Sequence, residues 1–268
     1  MRNSETRASK LPTVLVGLCL TAAAPVLAQQ SAGMPRTADG HPDLSGTWDN
    51  GAGIDFVRPK QDGDSICIFG CAGGGALPLN VAAPSTPQYR PAFAARVADL
   101  DKRQVAEDPV LRCVAPGVPR IGPPDKIVQR AGEAVFLYED VSGSFFRIVP
   151  TDGRPHPTNN EPSFLGDAVG HWEGDTLVVE TKNFNDQTWL TDNGAFHTGD
   201  LRVVERLSRT ADTLEWVATA HDPAVLAEPW ELAKRTARPT DVEIVESPPC
   251  IDRSLEHMVD DSHHTNPR

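Results

Sequence analysis

From residue 126 onward apolar and polar residues alternate with a period of two. The segments 126–132 (KIVQRAG), 133–140 (EAVFLYED) and 144–150 (SFFRIVP) predict three successive strands. A polar loop follows, then 166–172 (GDAVGHW), the turn Glu173-Gly174-Asp175, and 176–182 (TLVVETK). A second polar loop runs to residue 200. Beyond it lie 201–209 (LRVVERLSR), 213–221 (TLEWVATAH), 229–236 (PWELAKRT) and 241–246 (DVEIVE), with DLSGTW at 43–48 leading into a first strand. Short strands joined by tight turns, with almost no helix between them, predict a mainly β fold. The expected form is an antiparallel meander closed or curled into a lipocalin-like barrel, with a β-sandwich as the alternative. The period changes to 3.6 only at 91–107, where Phe93, Val97 and Leu100 form one stripe behind Pro91; a flanking helix is expected there. Residues 50–88 read as loop, 29–43 as a flexible tail and 260–268 as a disordered tail.

Alternation also assigns faces. Leu201, Val203, Glu205 and Leu207 share one side of their strand, which puts Glu205 among apolar neighbours, where a lone carboxylate is costly unless paired or used. Arg147 shares its side with Phe145 and Val149 and is placed to answer it. Glu180 falls with Thr176, Val178 and Lys182, a set that reads as the solvent side.

The N-terminus carries Arg2, Arg7 and Lys10 ahead of an apolar run, with Val26-Leu27-Ala28 as a cleavage site. This is the pattern of a secretory signal peptide over 1–28, followed by a single exported domain over 29–268 with no membrane span left after cleavage. The chain has a net charge of −12, and loss of 1–28 takes it to about −14, which disfavours nucleic acid as a partner. Four cysteines remain: Cys67, Cys71, Cys113 and Cys250. In an exported chain they read as two disulfides, with Cys67–Cys71 and Cys113–Cys250 the favoured pairing; a metal site at Cys67 and Cys71 lacks a nearby histidine.

Candidate chemistry gathers in the two polar loops. His156 lies in the first, and Asn185, Trp189 and His197 in the second. Histidine beside a carboxylate at a cavity mouth suits proton transfer near neutral pH. Glu205 and His197 are the candidate proton-transfer pair, with Arg147 to steady an anion. His156, Asn185, Trp189, Trp216 and Glu180 are candidate substrate contacts. No nucleotide or dinucleotide motif and no nucleophile elbow is present, so no cofactor is expected, with a divalent metal as the alternative.

The stretches RTADGHPDLSGTW, DPVLRCVAPGVPR, FRIVPTDGRPHP, GHWEGDTLVVETKNFNDQTWL and HDPAVLAEPW resemble, in order, a large family of exported bacterial β-rich proteins of uncharacterised function. The resemblance implies one secreted β-rich domain and no particular reaction. The chain departs from the pattern at His171, where arginine is expected, in the segment holding Cys67 and Cys71, and at its C-terminal CIDRS. Gly46-Thr47-Trp48 also resembles the Gly-x-Trp of lipocalins, which implies an up-and-down barrel. Three functions are compatible with these features: a periplasmic, cofactor-independent lyase, hydrolase or isomerase acting on a small apolar or aromatic molecule; a binding protein using the same cavity without chemistry; and a structural envelope protein.

Overall fold

The computed structural model describes residues 33–50, 60–62, 65–67, 86–140, 142–191, 193–247 and 250. The strands are β1 (Gly46–Asp49), β2 (Lys60–Asp62), β3 (Ser65–Cys67), β4 (Lys126–Arg130), β5 (Glu133–Asp140), β6 (Gly143–Pro150), β7 (Asp167–Glu173) and β8 (Thr176–Lys182). They continue with β9 (Arg202–Arg209), β10 (Leu214–His221), β11 (Trp230–Glu231) and β12 (Arg235–Pro239). Ten of them form one antiparallel sheet in the order β6-β5-β4-β1-β12-β10-β9-β8-β7, with β11 also on β10. The sheet curls into a nearly closed barrel. Two meanders, β4–β6 and β7–β10 with β12, are joined side to side by β1, which pairs with β4 through Gly46–Ile127 and with β12 through Trp48–Pro239. The expected barrel is therefore present, with its N-terminal strand inserted between the meanders.

Strand parity explains why the barrel does not seal. Every neighbouring pair along the path is antiparallel, so the two end strands β6 and β7, eight steps apart, run parallel. Parallel neighbours in sequence need a crossover, and residues 151–166 supply it. The seam is pinched at one end by packing: a Cβ on Gly170 of β7 would lie 3.1 Å from both Val149 and Thr151. Toward the start of both strands it opens into a cleft.

The interior is filled by side chains. Trp48, Phe136, Val149, Leu177, Val179, Val203, Leu207 and Trp216 are buried there, as the period-two pattern requires. On β9 the expected inward set Leu201, Val203, Glu205 and Leu207 is buried throughout. On the outside of β4–β6 an apolar row remains in the open: Val128, Phe146 and Ile148 are about half exposed or more. Val128 and Ile148 flank Val135 in register.

The helix expected near 91–107 is present but divided. A tight turn at Pro91–Phe93 leads into α1 (Ala94–Lys102), and one further turn, α2, spans Gln104–Glu107. Its apolar side meets the 188–197 loop, where Phe93 packs edge-on against Phe196 at 6.0 Å between centroids. Gly194, with φ of 79°, allows that contact, because a Cβ there would strike the backbone of Val97 and Asp101.

Three expectations change. Residues 33–43 are not a loose tail: Arg36 pairs bidentately with Asp175 at 2.8 and 2.9 Å, and His41 stacks on Trp172 at 4.5 Å, which holds this segment to the β7–β8 turn. Residues 241–246 form no strand; Val242 and Val245 are exposed, and the last strand is β12, which takes the place beside β1. The 50–88 loop contains the short β2–β3 hairpin. Cys113 and Cys250 form a disulfide across 137 positions with Cα atoms 5.6 Å apart. The expected signal segment 1–28, Cys71 and the tail 260–268 lie outside the described residues.

Candidate functional site

Arg147 and Glu205 form the polar centre of the barrel. Both side chains are almost wholly buried, and Arg147 Nη2 donates to Glu205 Oε2 at 2.6 Å. The neighbours follow from sheet register. Phe136 stands directly opposite Arg147 on β5, its ring centroid 5.8 Å from the guanidinium carbon. Tyr138, one diagonal step away, accepts from Nη1 at 3.0 Å. On the other wall, Thr181 of β8 and Trp216 of β10 are the diagonal neighbours of Glu205. Thr181 Oγ1 accepts from Nη2 at 2.7 Å, and Trp216 Nε1 donates to Glu205 Oε1 at 3.0 Å. Burial pushes the Tyr138 phenol up and would push the Arg147 guanidinium down, but Glu205 outweighs burial and holds Arg147 charged. One donor of this network, Arg147 Nε, is buried without a hydrogen-bond partner.

The pair reaches across the seam, joining β6 to β9. Its outer neighbour is the cleft of about 510 Å³ where β6 and β7 diverge beneath the 151–166 crossover. Phe145, Phe146 and Ile148 come from β6, Val169 from β7, and Phe164 and Leu165 from the crossover; Arg147 lines it too. The size and apolar lining match ordinary small-molecule sites. The crossover is anchored at both ends. Thr151 N–H donates to the Gly132 carbonyl at 2.8 Å, while Ser163 N–H donates to Asn183 O at 3.1 Å and Ser163 O accepts from Asn185 N–H at 2.9 Å, both just beyond β8. Asn183, in the left-handed region with φ of 61°, gives its Nδ2 to Asn160 O, Glu161 O and Asp167 Oδ2. Asn183 and Asn185 thus fasten the roof of the cleft; neither lines it.

The other expected residues lie elsewhere. His197 is buried in the 188–200 loop, its Nδ1 donating to Thr198 O at 2.9 Å and its Nε2 accepting from Thr188 at 2.7 Å. Burial lowers its pKa, against the pull of the Thr198 carbonyl, Asp222 and Asp186. His197 bonds to Thr188 and Thr198 and Glu205 to Arg147 and Trp216, so no hydrogen bond joins the expected proton-transfer pair. Trp189 is buried and bridged to Phe196. Glu180 does stand on the outer wall, where it meets His156 at 3.2 Å, Arg202 at 2.9 Å and Lys182 at 2.5 Å. Partial burial raises the Glu180 carboxyl, but the hydrogen bonds from Lys182 and Arg202 outweigh it and hold it at about 2. A second cleft of about 580 Å³ lies beside this group, between Arg202, His221 and the 222–229 loop.

Several motifs that carry the family resemblance act as clamps. Asp108, fully buried, grips Arg120 bidentately at 2.7 Å, closing the 108–120 segment. Asp222 accepts from Thr198 N at 2.7 Å and from the Thr198 hydroxyl at 3.1 Å. Sequence reasoning missed Tyr138, Thr181 and the cleft itself. A signal was present: β6 is apolar on both faces, with Phe145 and Val149 inward and Phe146 and Ile148 outward.

Among the described residues no three His, Cys, Asp or Glu side chains converge as a metal site requires, and no helix is long and apolar enough to cross a membrane. Protein-family models, curated proteins and solved structures give no match to this chain.

Proposed function

We propose that the protein is a binding protein for a small, mostly apolar molecule, held in the seam cleft between β6, β7 and the 151–166 crossover. The observation that carries this reading is a cleft of about 510 Å³ lined largely by apolar side chains, Phe145, Phe146, Ile148, Phe164, Leu165 and Val169 among them. Apolar lining supplies affinity and a few polar groups, Arg154, Asn160 and Asp167 among them, supply orientation, the usual division in such sites. The enzymatic roles expected for Glu205 and His197 draw no support from their contacts. Both Glu205 oxygens are hydrogen-bonded inside a filled barrel, and both His197 nitrogens are occupied. The Cys113–Cys250 disulfide is of a kind that oxidising compartments sustain and supports a periplasmic or secreted location.

The test is fluorescence titration with N-phenyl-1-naphthylamine, a neutral apolar probe, on wild type and on Val169→Trp, which fills the cleft from its β7 side. One saturable site in the wild type, weakened at least tenfold in a Val169→Trp protein of unchanged melting temperature, is the expected result. Equal binding by both proteins overturns the assignment.

A further inference from the structure

We infer that the ligand of the seam cleft is a cationic amphiphile, an apolar or aromatic body carrying one ammonium group, with the ammonium seated on the Asp167 carboxylate. This inference rests on the cleft being the binding site. Asp167 and Asn160 both line the cleft, and the hydrogen bond between them, from Asn160 Nδ2 to Asp167 Oδ1 at 2.9 Å, is open to solvent. Asp167 Oδ2 accepts from Asn183 Nδ2 at 2.8 Å. A carboxylate offers about four acceptor positions. Two are filled here, both by uncharged amides, and among the described residues no cation pairs with Asp167. The side chain is half-buried rather than sealed, and it shares the outward side of β7 with Val169, another lining residue.

The neighbouring cations are committed elsewhere. Arg147 is neutralised by Glu205 inside the barrel, and Arg154, at the rim, is clasped by Asp152 through Nε and Nη2. Lys182 stands opposite Asp167 in register, yet its ammonium goes to Glu180 at 2.5 Å, where Arg202 also binds at 2.9 Å. Lys182 and Arg202 line the second cleft and not this one. The lining therefore carries two arginines already matched by carboxylates, and one carboxylate without a counter-charge. The apolar part of the cleft favours the same sign. Phe145, Phe146 and Phe164 line it, and aromatic rings attract an ammonium through their negative faces. The net charge of −12 adds a long-range bias toward cations.

Three probes of similar size separate the alternatives in calorimetric titrations of the full protein at neutral pH: 1-(2-naphthyl)ethylamine, 2-acetylnaphthalene and 2-naphthoate. The amine should bind about fivefold or more tightly than the acetyl compound, the worth of one charge-assisted hydrogen bond in a half-open site, and the naphthoate should bind most weakly. Raising NaCl from about 0.02 M to about 0.5 M should weaken the amine and not the acetyl compound, since salt screens only the charged contact. In Asp167→Asn, which keeps the shape and removes the charge, the amine-to-acetyl ratio should fall to about one. That ratio is read within one protein, so any loosening of the crossover cancels. Equal affinity of amine and acetyl compounds in the wild type, or an amine affinity indifferent to salt, overturns the cationic inference and leaves the cleft standing. An unchanged ratio in Asp167→Asn overturns the seat on Asp167. Tightest binding by naphthoate overturns the sign of the charge. Failure of all three to bind overturns the cleft itself.

Discussion

Arg147 of β6 and Glu205 of β9 meet at 2.6 Å inside the barrel, on opposite meanders, with Arg147 on one edge of the unsealed seam and Glu205 two strands in from the other. No backbone ladder joins β6 to β7, so this pair ties the β6 edge to the opposite meander, while β7 meets β6 through side-chain packing at Gly170. Removing one charge strands the other in the interior, which costs about 3–5 kcal/mol. R147M and E205L alone should each lose that much in urea unfolding. R147M/E205L should recover at least about 2 kcal/mol of the summed loss, yet stay about 1–3 kcal/mol below wild type, because Trp216 Nε1 and Tyr138 Oη lose their partners. Additive single losses would contradict the pairing.

Gly170 is where β7 comes closest to the end of β6. It has no positive φ to explain it; the reason is space, since an added Cβ meets Val149, Thr151 and Leu177 at 3.1–3.2 Å. Gly170→Val should cost about 1–3 kcal/mol by overpacking. A melting temperature equal to that of wild type would show that the seam is not held shut there.

Asp125 makes a different kind of demand. Burial pushes its carboxyl up to about 6, with Glu139 and Asp140 adding to it, against hydrogen bonds from Glu139 N–H and Asn50. A raised carboxyl pKa in the folded state means that stability is whole below about 3.8 and is lost as pH rises through about 6. Asp125→Asn should therefore be more stable than wild type at pH 7.5, by about 1–2 kcal/mol after discounting for its partial exposure. The gain should vanish near pH 4. Unfolding curves at the two pH values measure it.

His197 gives the opposite slope. Its folded pKa lies below the usual 6.5, so the unfolded chain takes up a proton first. Its contribution is whole above 6.5 and is lost as pH falls, by at most about 1.4 kcal/mol per unit. His197→Gln should flatten stability between pH 7 and pH 5. Glu180, whose folded pKa is held at about 2, acts in a lower window, between about 4.5 and 2.

Much of the barrel was legible because its rule is local. Alternation named the inward face of β9 and with it Glu205, and it placed Arg147 on the same side as Phe145 and Val149. The partnership of those two residues also followed, since a buried carboxylate demands a cation. What alternation cannot carry is strand order. Nothing in GTWD says that β1 sits between β4 and β12, and the parity that leaves β6 and β7 parallel depends on it. The cleft was missed for that reason. His197 was read as chemical because histidine in a polar loop draws attention; tertiary burial against Thr188 and Thr198 makes it a neutral tie instead. Glu180 was read correctly as outward, while its bond to His156 depends on the path of the crossover.

The most direct measurement is an amide chemical-shift map of the isotope-labelled protein titrated with 2-acetylnaphthalene. The account predicts saturable shifts concentrated at Phe145–Ile148 and Phe164–Val169. Residues of the second cleft, Gly199–Arg202 and His221–Pro223, should stay in place. Shifts centred on the second cleft, or none at saturating probe, would contradict it.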